Sequence, residues 1–92
     1  MDRIQFSRHA RQRMFERRIQ PADVLTAIRE GKTIESRPED KPYPCRLILG
    51  AAEGRALHVV YAEDRENRVG IVVTVYWPHE GRWESSFERR RR

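Results

Sequence analysis

Residues 45–77 read CRLILG, AAEGR, ALHVVYA, EDRENR, VGIVVTVYW in five consecutive pieces, and this run decides the fold. Three apolar stretches, 45–50, 56–62 and 69–77, are rich in Val, Ile, Leu and Tyr. Two polar connections of hairpin length separate them, the first containing Gly54. That pattern predicts three antiparallel strands in a meander. A strand sends successive side chains to opposite faces, and here the odd positions are the more apolar: Cys45, Leu47, Leu49, Leu57, Val59, Tyr61, Val69, Ile71, Val73, Val75 and Trp77. These are expected to face a helical layer. The even positions, Arg46, Ile48, His58, Val60, Thr74 and Tyr76, are then expected on an open face, where a basic, an imidazole and a phenol group stand among aliphatics.

Working upstream, the period lengthens. Ser7 is a good helix cap, and 8–18 contain neither Gly nor Pro, with Ala10 and Met14 as an apolar edge. Pro21 suits the first turn of a second helix and Asp23 its positive end; Val24, Leu25 and Ile28 give it a buried stripe, and Gly31 is a natural stop. Residues 3–6 are a short strand or an extended lead-in. Thr33–Ser36 is a plausible strand, and Arg37–Pro44, with three prolines, a loop. The expected architecture is a single α+β domain over 1–92, with two N-terminal helices packed on one face of a three- to four-stranded antiparallel sheet. Arg89–Arg92 is expected to be a loose basic tail.

The net charge of +5 is unevenly spread: residues 1–22 carry +4, residues 81–92 carry +3 and the middle carries −2. Seventeen of the nineteen basic residues are Arg, whose planar fork matches phosphate oxygens and stacks on bases. A polyanion is the natural partner, although an Arg-rich composition bias would also raise the count. Cys45 is the lone cysteine, which rules out an intrachain disulfide and points to a reducing compartment. Met1–Asp2–Arg3 leads into no apolar signal stretch and no run reaches transmembrane length, so a cytoplasmic protein without a membrane partner is expected.

His9, Arg13 and Arg17 are spaced four apart and line one side of the first helix. They read as a phosphate clamp with an imidazole at its end; the competing reading pairs Arg13 or Arg17 with a carboxylate such as Glu16 or Glu35. His58 and Tyr76 share a predicted face, yet a histidine among apolar residues is commonly a satisfied structural side chain. Trp77 and Trp83 read as packing residues and His79 as a loop residue. The three histidines and Cys45 lack zinc-type spacing, and no phosphate-binding glycine loop, dinucleotide fingerprint or nucleophile elbow is present. No metal and no cofactor are therefore expected.

Ser7-Arg8-His9-Ala10, Arg13, Met14, Arg17, the turn from Arg18 to Val24, Leu57-His58-Val59-Val60 and Val73-Thr74-Val75-Tyr76 together resemble a family of small bacterial proteins of unassigned function related to the RelE and MqsR toxins of toxin–antitoxin pairs. The resemblance runs from Phe6 to about Arg90. It implies a RelE-like fold with helices on one face of an antiparallel sheet, and a metal-independent endoribonuclease that cleaves mRNA, commonly on the ribosome, held in check by a cognate antitoxin. In that chemistry a 2′-hydroxyl attacks the adjacent phosphate, cations hold the transition-state charge and an acid serves the leaving oxygen. His9 or His58 would act as base or acid, Tyr76 would donate or stack, and Arg13, Arg17, Arg46 and Arg90 would hold phosphate. Two alternatives stand beside it: a non-catalytic RNA-binding or regulatory module, and a RelE-fold toxin with a non-RNA target, as ParE-type relatives poison gyrase.

Overall fold

The computed structural model describes residues 2–91. In chain order the elements are β1 (Arg3–Phe6), α1 (Arg8–Arg17), α2 (Pro21–Glu30), β2 (Lys32–Arg37), β3 (Cys45–Ala52), β4 (Arg55–Asp64) and β5 (Val69–Tyr76). The Ser7 hydroxyl accepts the Ala10 N–H at 2.9 Å and donates to the Val73 carbonyl at 2.8 Å, so one side chain both caps α1 and ties it to the sheet. Arg18 ends α1 in the left-handed region, φ 56°. Pro21 opens α2 with its missing N–H at a position that has no intrahelical partner. Between β3 and β4, Glu53 and Gly54 both have positive φ, 52° and 73°, as a two-residue hairpin with the strands' own twist requires.

The sheet corrects the expected architecture. It has five strands in the order β1-β5-β4-β3-β2, and β1 pairs with β5 in parallel; it is mixed, not a three- to four-stranded antiparallel meander. The alternation of residues 3–6 marks them as extended, but their partner lies 66 residues away at Val69–Val72, beyond the reach of local pattern. Arg89–Arg91 are also not a loose tail. The Arg91 N–H reaches the Arg82 carbonyl at 2.8 Å, and Arg90 bridges to Trp83 and holds Glu35. Arg92 lies outside the described residues.

The assignment of faces needs a second correction. In an antiparallel pair, opposed residues point to the same side. Ile48 stands opposite Val59 and Gly50 opposite Leu57, so an odd position on β4 shares its face with an even one on β3. Ile48, Leu57, Val59 and Val75 join Ala10, Met14, Val24 and Ala27 in one core cluster. A Cβ on Gly50 would lie 2.5 Å from that of Ala27, which is why the second helix can settle so closely on β3. A register shift beside Val60 and Tyr61 sets Tyr61 opposite Val72, and this turns Val72, rather than Val73, into the core. Leu47, Leu49 and Ile71 are thereby moved off the helical face and Ile48 onto it.

The second face, bearing His58, Val60, Thr74, Tyr76 and Leu47, is not open. The segment after β5 folds back over it. Trp83 is buried, its ring meeting His58 edge-on at 4.4 Å. The Arg90 guanidinium sits 4.6 Å from the Trp83 ring and donates twice to Glu35, at 3.0 and 3.3 Å, while Lys32 pairs with Glu88. Among the described residues, no helix is long and apolar enough to cross a membrane.

Candidate functional site

Where α1 ends, β5 ends and the C-terminal segment turns back, their side chains enclose a cleft of about 670 Å³ lined by Arg17, Tyr76, Trp77, His79, Arg82, Trp83 and Arg90. Three guanidiniums, an imidazole, a phenol and two indoles meet there without a carboxylate. Arg17 arrives on the last turn of α1, held by the Trp77 indole N–H, which donates to the Arg17 carbonyl at 3.0 Å; its own guanidinium reaches the Val75 carbonyl at 3.4 Å. His79 accepts the Gly81 N–H on Nδ1 at 2.9 Å, so the ring proton sits on Nε2. Among the described residues Arg17 and Arg82 make no ion pair, whereas Arg90 is bound to Glu35.

Tyr76 forms the floor and is backed by His58. His58 is fully buried, with Nε2 2.8 Å from the Phe87 carbonyl and Nδ1 3.2 Å from the Tyr76 hydroxyl. A carbonyl only accepts, so the ring proton is on Nε2 and Nδ1 accepts from Tyr76. Both nitrogens are spent. Burial lowers the His58 pKa from its usual 6.5, and the nearby Arg90 acts the same way against the favourable Phe87 carbonyl; burial raises that of Tyr76, which keeps the phenol protonated. The folded chain therefore binds a proton at His58 less readily than the unfolded chain does. Stability is full above about pH 6.5 and falls as the pH drops toward the folded-state pKa, by at most about 1.4 kcal/mol per pH unit. Urea midpoints at pH 7.5 and 5.5 should differ less for His58→Gln than for the wild type; parallel profiles would show that His58 does not carry the effect.

The residues expected to act together divide into groups. Arg17, Tyr76 and Arg90 meet in the cleft. His58 is the structural support behind Tyr76, out of a substrate's reach. His9 is exposed near the start of α1, roughly 12 Å along the helix axis from Arg17 at about 1.5 Å per residue. Arg13 is paired with Glu16 at 2.6 Å, as the competing reading of that stripe has it, and holds the Glu16 carboxyl below its ordinary pKa. Arg46 donates to Thr33 at 2.7 Å and lies 5.3 Å from the Tyr61 ring; the register of β3 puts it off the His58 face. Its side chain lines a smaller hollow of about 80 Å³ together with Tyr76 and Arg90, but Glu35 and Asp40 line it too, poor company for a phosphate. His79, Arg82 and Trp83 were not expected in a site. Their signal was the run Trp77-Pro78-His79-Glu80-Gly81-Arg82-Trp83, aromatic and basic residues interleaved just past a strand end. Among the described residues no group of three or more His, Cys, Asp or Glu is placed to hold a metal ion.

Fold and cleft define a small α+β protein with a basic, aromatic-lined corner built from a helix end, a strand end and a returning C-terminal segment. Residues 6–77 match the family described as a domain of unknown function (DUF4258), and the chain belongs to that family. No curated protein and no solved structure matches. Arg17, Tyr76 and Trp77 lie within the matched span, while His79, Arg82, Trp83 and Arg90 follow it.

Proposed function

We propose that the protein binds RNA at this cleft and cleaves it without a metal ion, as the toxin of a toxin–antitoxin pair acting on mRNA in the cytoplasm. The observation that carries the reading is the cleft lining: Arg17, Arg82, Arg90 and His79 Nε2–H surround one space with no carboxylate, an arrangement suited to the charge that grows on a phosphodiester under attack. Tyr76 Oη, whose proton is held by His58, has lone pairs free for the 2′-hydroxyl. In the step proposed, the 2′-oxygen bonds to phosphorus as its proton passes to Tyr76 and the phenol's proton to His58 Nδ1. The P–O5′ bond breaks, the leaving oxygen takes a proton from water, the hydroxide so formed recovers the proton from His58 through Tyr76, and a 2′,3′-cyclic phosphate remains. The cognate antitoxin would neutralise the protein by covering the cleft.

A second reading, RNA binding without cleavage, is favoured by two observations. Burial weakens His58 as a proton acceptor, and the Gly81 N–H occupies the other acceptor, His79 Nδ1. Purified protein, given single-stranded RNA in excess chelator, separates the two. Cleavage with cyclic-phosphate ends, absent on a 2′-deoxy strand and reduced at least about a hundredfold in Tyr76→Phe while binding persists, supports the nuclease. Binding with an intact strand leaves the module. No binding removes both.

A further inference from the structure

A second cleft, of about 480 Å³, opens on the other side of Trp77 and His79, between Arg55, Pro78, Glu80 and Phe87. Both clefts share Trp77 and His79, so the two are adjacent. They differ in charge. The first has three arginines and no acid; the second sets one arginine against Glu80. A phosphate belongs in the first. What the second offers is flat surface. The Arg55 guanidinium stacks 4.2 Å from the Trp77 ring and is exposed without an ion pair among the described residues, and Phe87 supplies another ring. Phe87 has φ 60°, a conformation unusual for a bulky residue, of the kind that clusters at ligand-binding positions. The same backbone aims the Phe87 carbonyl at His58.

We infer that this second cleft is a nucleobase subsite: a base next to the phosphate held by Arg17 and Arg82 stacks against Arg55, Trp77 and Phe87. The assignment rests on the RNA reading above and narrows it to a strand with an unstacked base, because a base inside a duplex has no free face to offer. Rings and a guanidinium plane bind any base, so the subsite adds affinity without a strict sequence requirement.

The test uses a 2′-O-methyl octanucleotide of mixed sequence and an abasic strand of the same length, each titrated against the full chain by fluorescence anisotropy and tryptophan emission. The base-bearing strand should bind about tenfold more tightly than the abasic one, the scale of one base stacked on an aromatic side chain, and should quench tryptophan emission. Phe87→Gly removes the ring while leaving the backbone a residue at ease at φ 60°, and Arg55→Ala alters an exposed position. Each should cut the base preference to about threefold or less, with both variants melting near the wild type. Equal binding of the two strands, both lost in Arg82→Ala, would overturn the base subsite and leave the RNA cleft standing. Failure of both strands to bind would remove the RNA reading and the subsite with it.

Discussion

Replacing Trp83 by Ala should cost about 3–5 kcal/mol of stability, the range for deleting a buried large aromatic side chain. Trp83 is 2% exposed and joins the C-terminal segment to the sheet. One contact is the His58 ring at 4.4 Å; the Arg90 guanidinium lies 4.6 Å from its centroid. A domain of this size has about 5–15 kcal/mol in total, so the loss would take about a fifth or more of it. At a urea slope of about 1–2 kcal/mol per molar, the midpoint should fall by about 1.5 M or more. The same change should admit water to His58, relaxing its pKa upward toward 6.5, which an NMR titration of the imidazole would follow. Trp83→Phe should recover much of the stability by refilling the space. A loss under about 1 kcal/mol with an unmoved His58 pKa would mean that the segment after β5 does not lie on the sheet, and that the cleft is not formed as described.

That segment also marks where sequence reading stopped. The two helices and the strands expected at 45–50, 56–62 and 69–77 were legible, with strand ends within two residues, because their signals are local: a Ser cap, a Pro at a helix start, a Gly-containing hairpin, runs of β-branched residues. The parallel β1–β5 pair was not, since alternation identifies a strand but not a partner 66 residues off. Which face is buried depended on two numbers that local pattern omits. One is the register that sets Ile48 against Val59, the other the shift beside Tyr61; β3 is apolar on both sides, so parity alone could not choose. Once the face is reassigned, Arg46 leaves the site, and once Trp83 covers the other face, His58 becomes a support. Arg17, Tyr76 and Arg90 survive as neighbours because they sit at element ends, where a helix, a strand and the returning segment meet whatever the parity.

If the chain binds RNA as proposed, the cleft makes its own demand on the affinity. Changing Arg17 and Arg82 together to Gln should weaken binding of a non-cleavable 2′-O-methyl RNA by about 10²–10⁴, since a hydrogen bond to a charged group contributes about 1.5–3 kcal/mol and neither guanidinium has a carboxylate to fall back on among the described residues. For a single strand the slope of log K against log salt changes by about 0.7 per neutralised phosphate, so the double variant should be shallower by about 1.4. Arg13→Gln supplies the contrast: the pair with Glu16 already answers its charge, and its removal should move affinity by less than about threefold. Arg90→Gln should fall between, because Glu35 shares that guanidinium, and its loss should also lower the melting temperature through Trp83. If all four arginines weaken binding equally, RNA feels only the net positive field of the chain and the corner between α1, β5 and the C-terminal segment is not a site. If Arg17 and Arg82 dominate, affinity resides in geometry, because the other two arginines carry the same formal charge and differ in what already holds them.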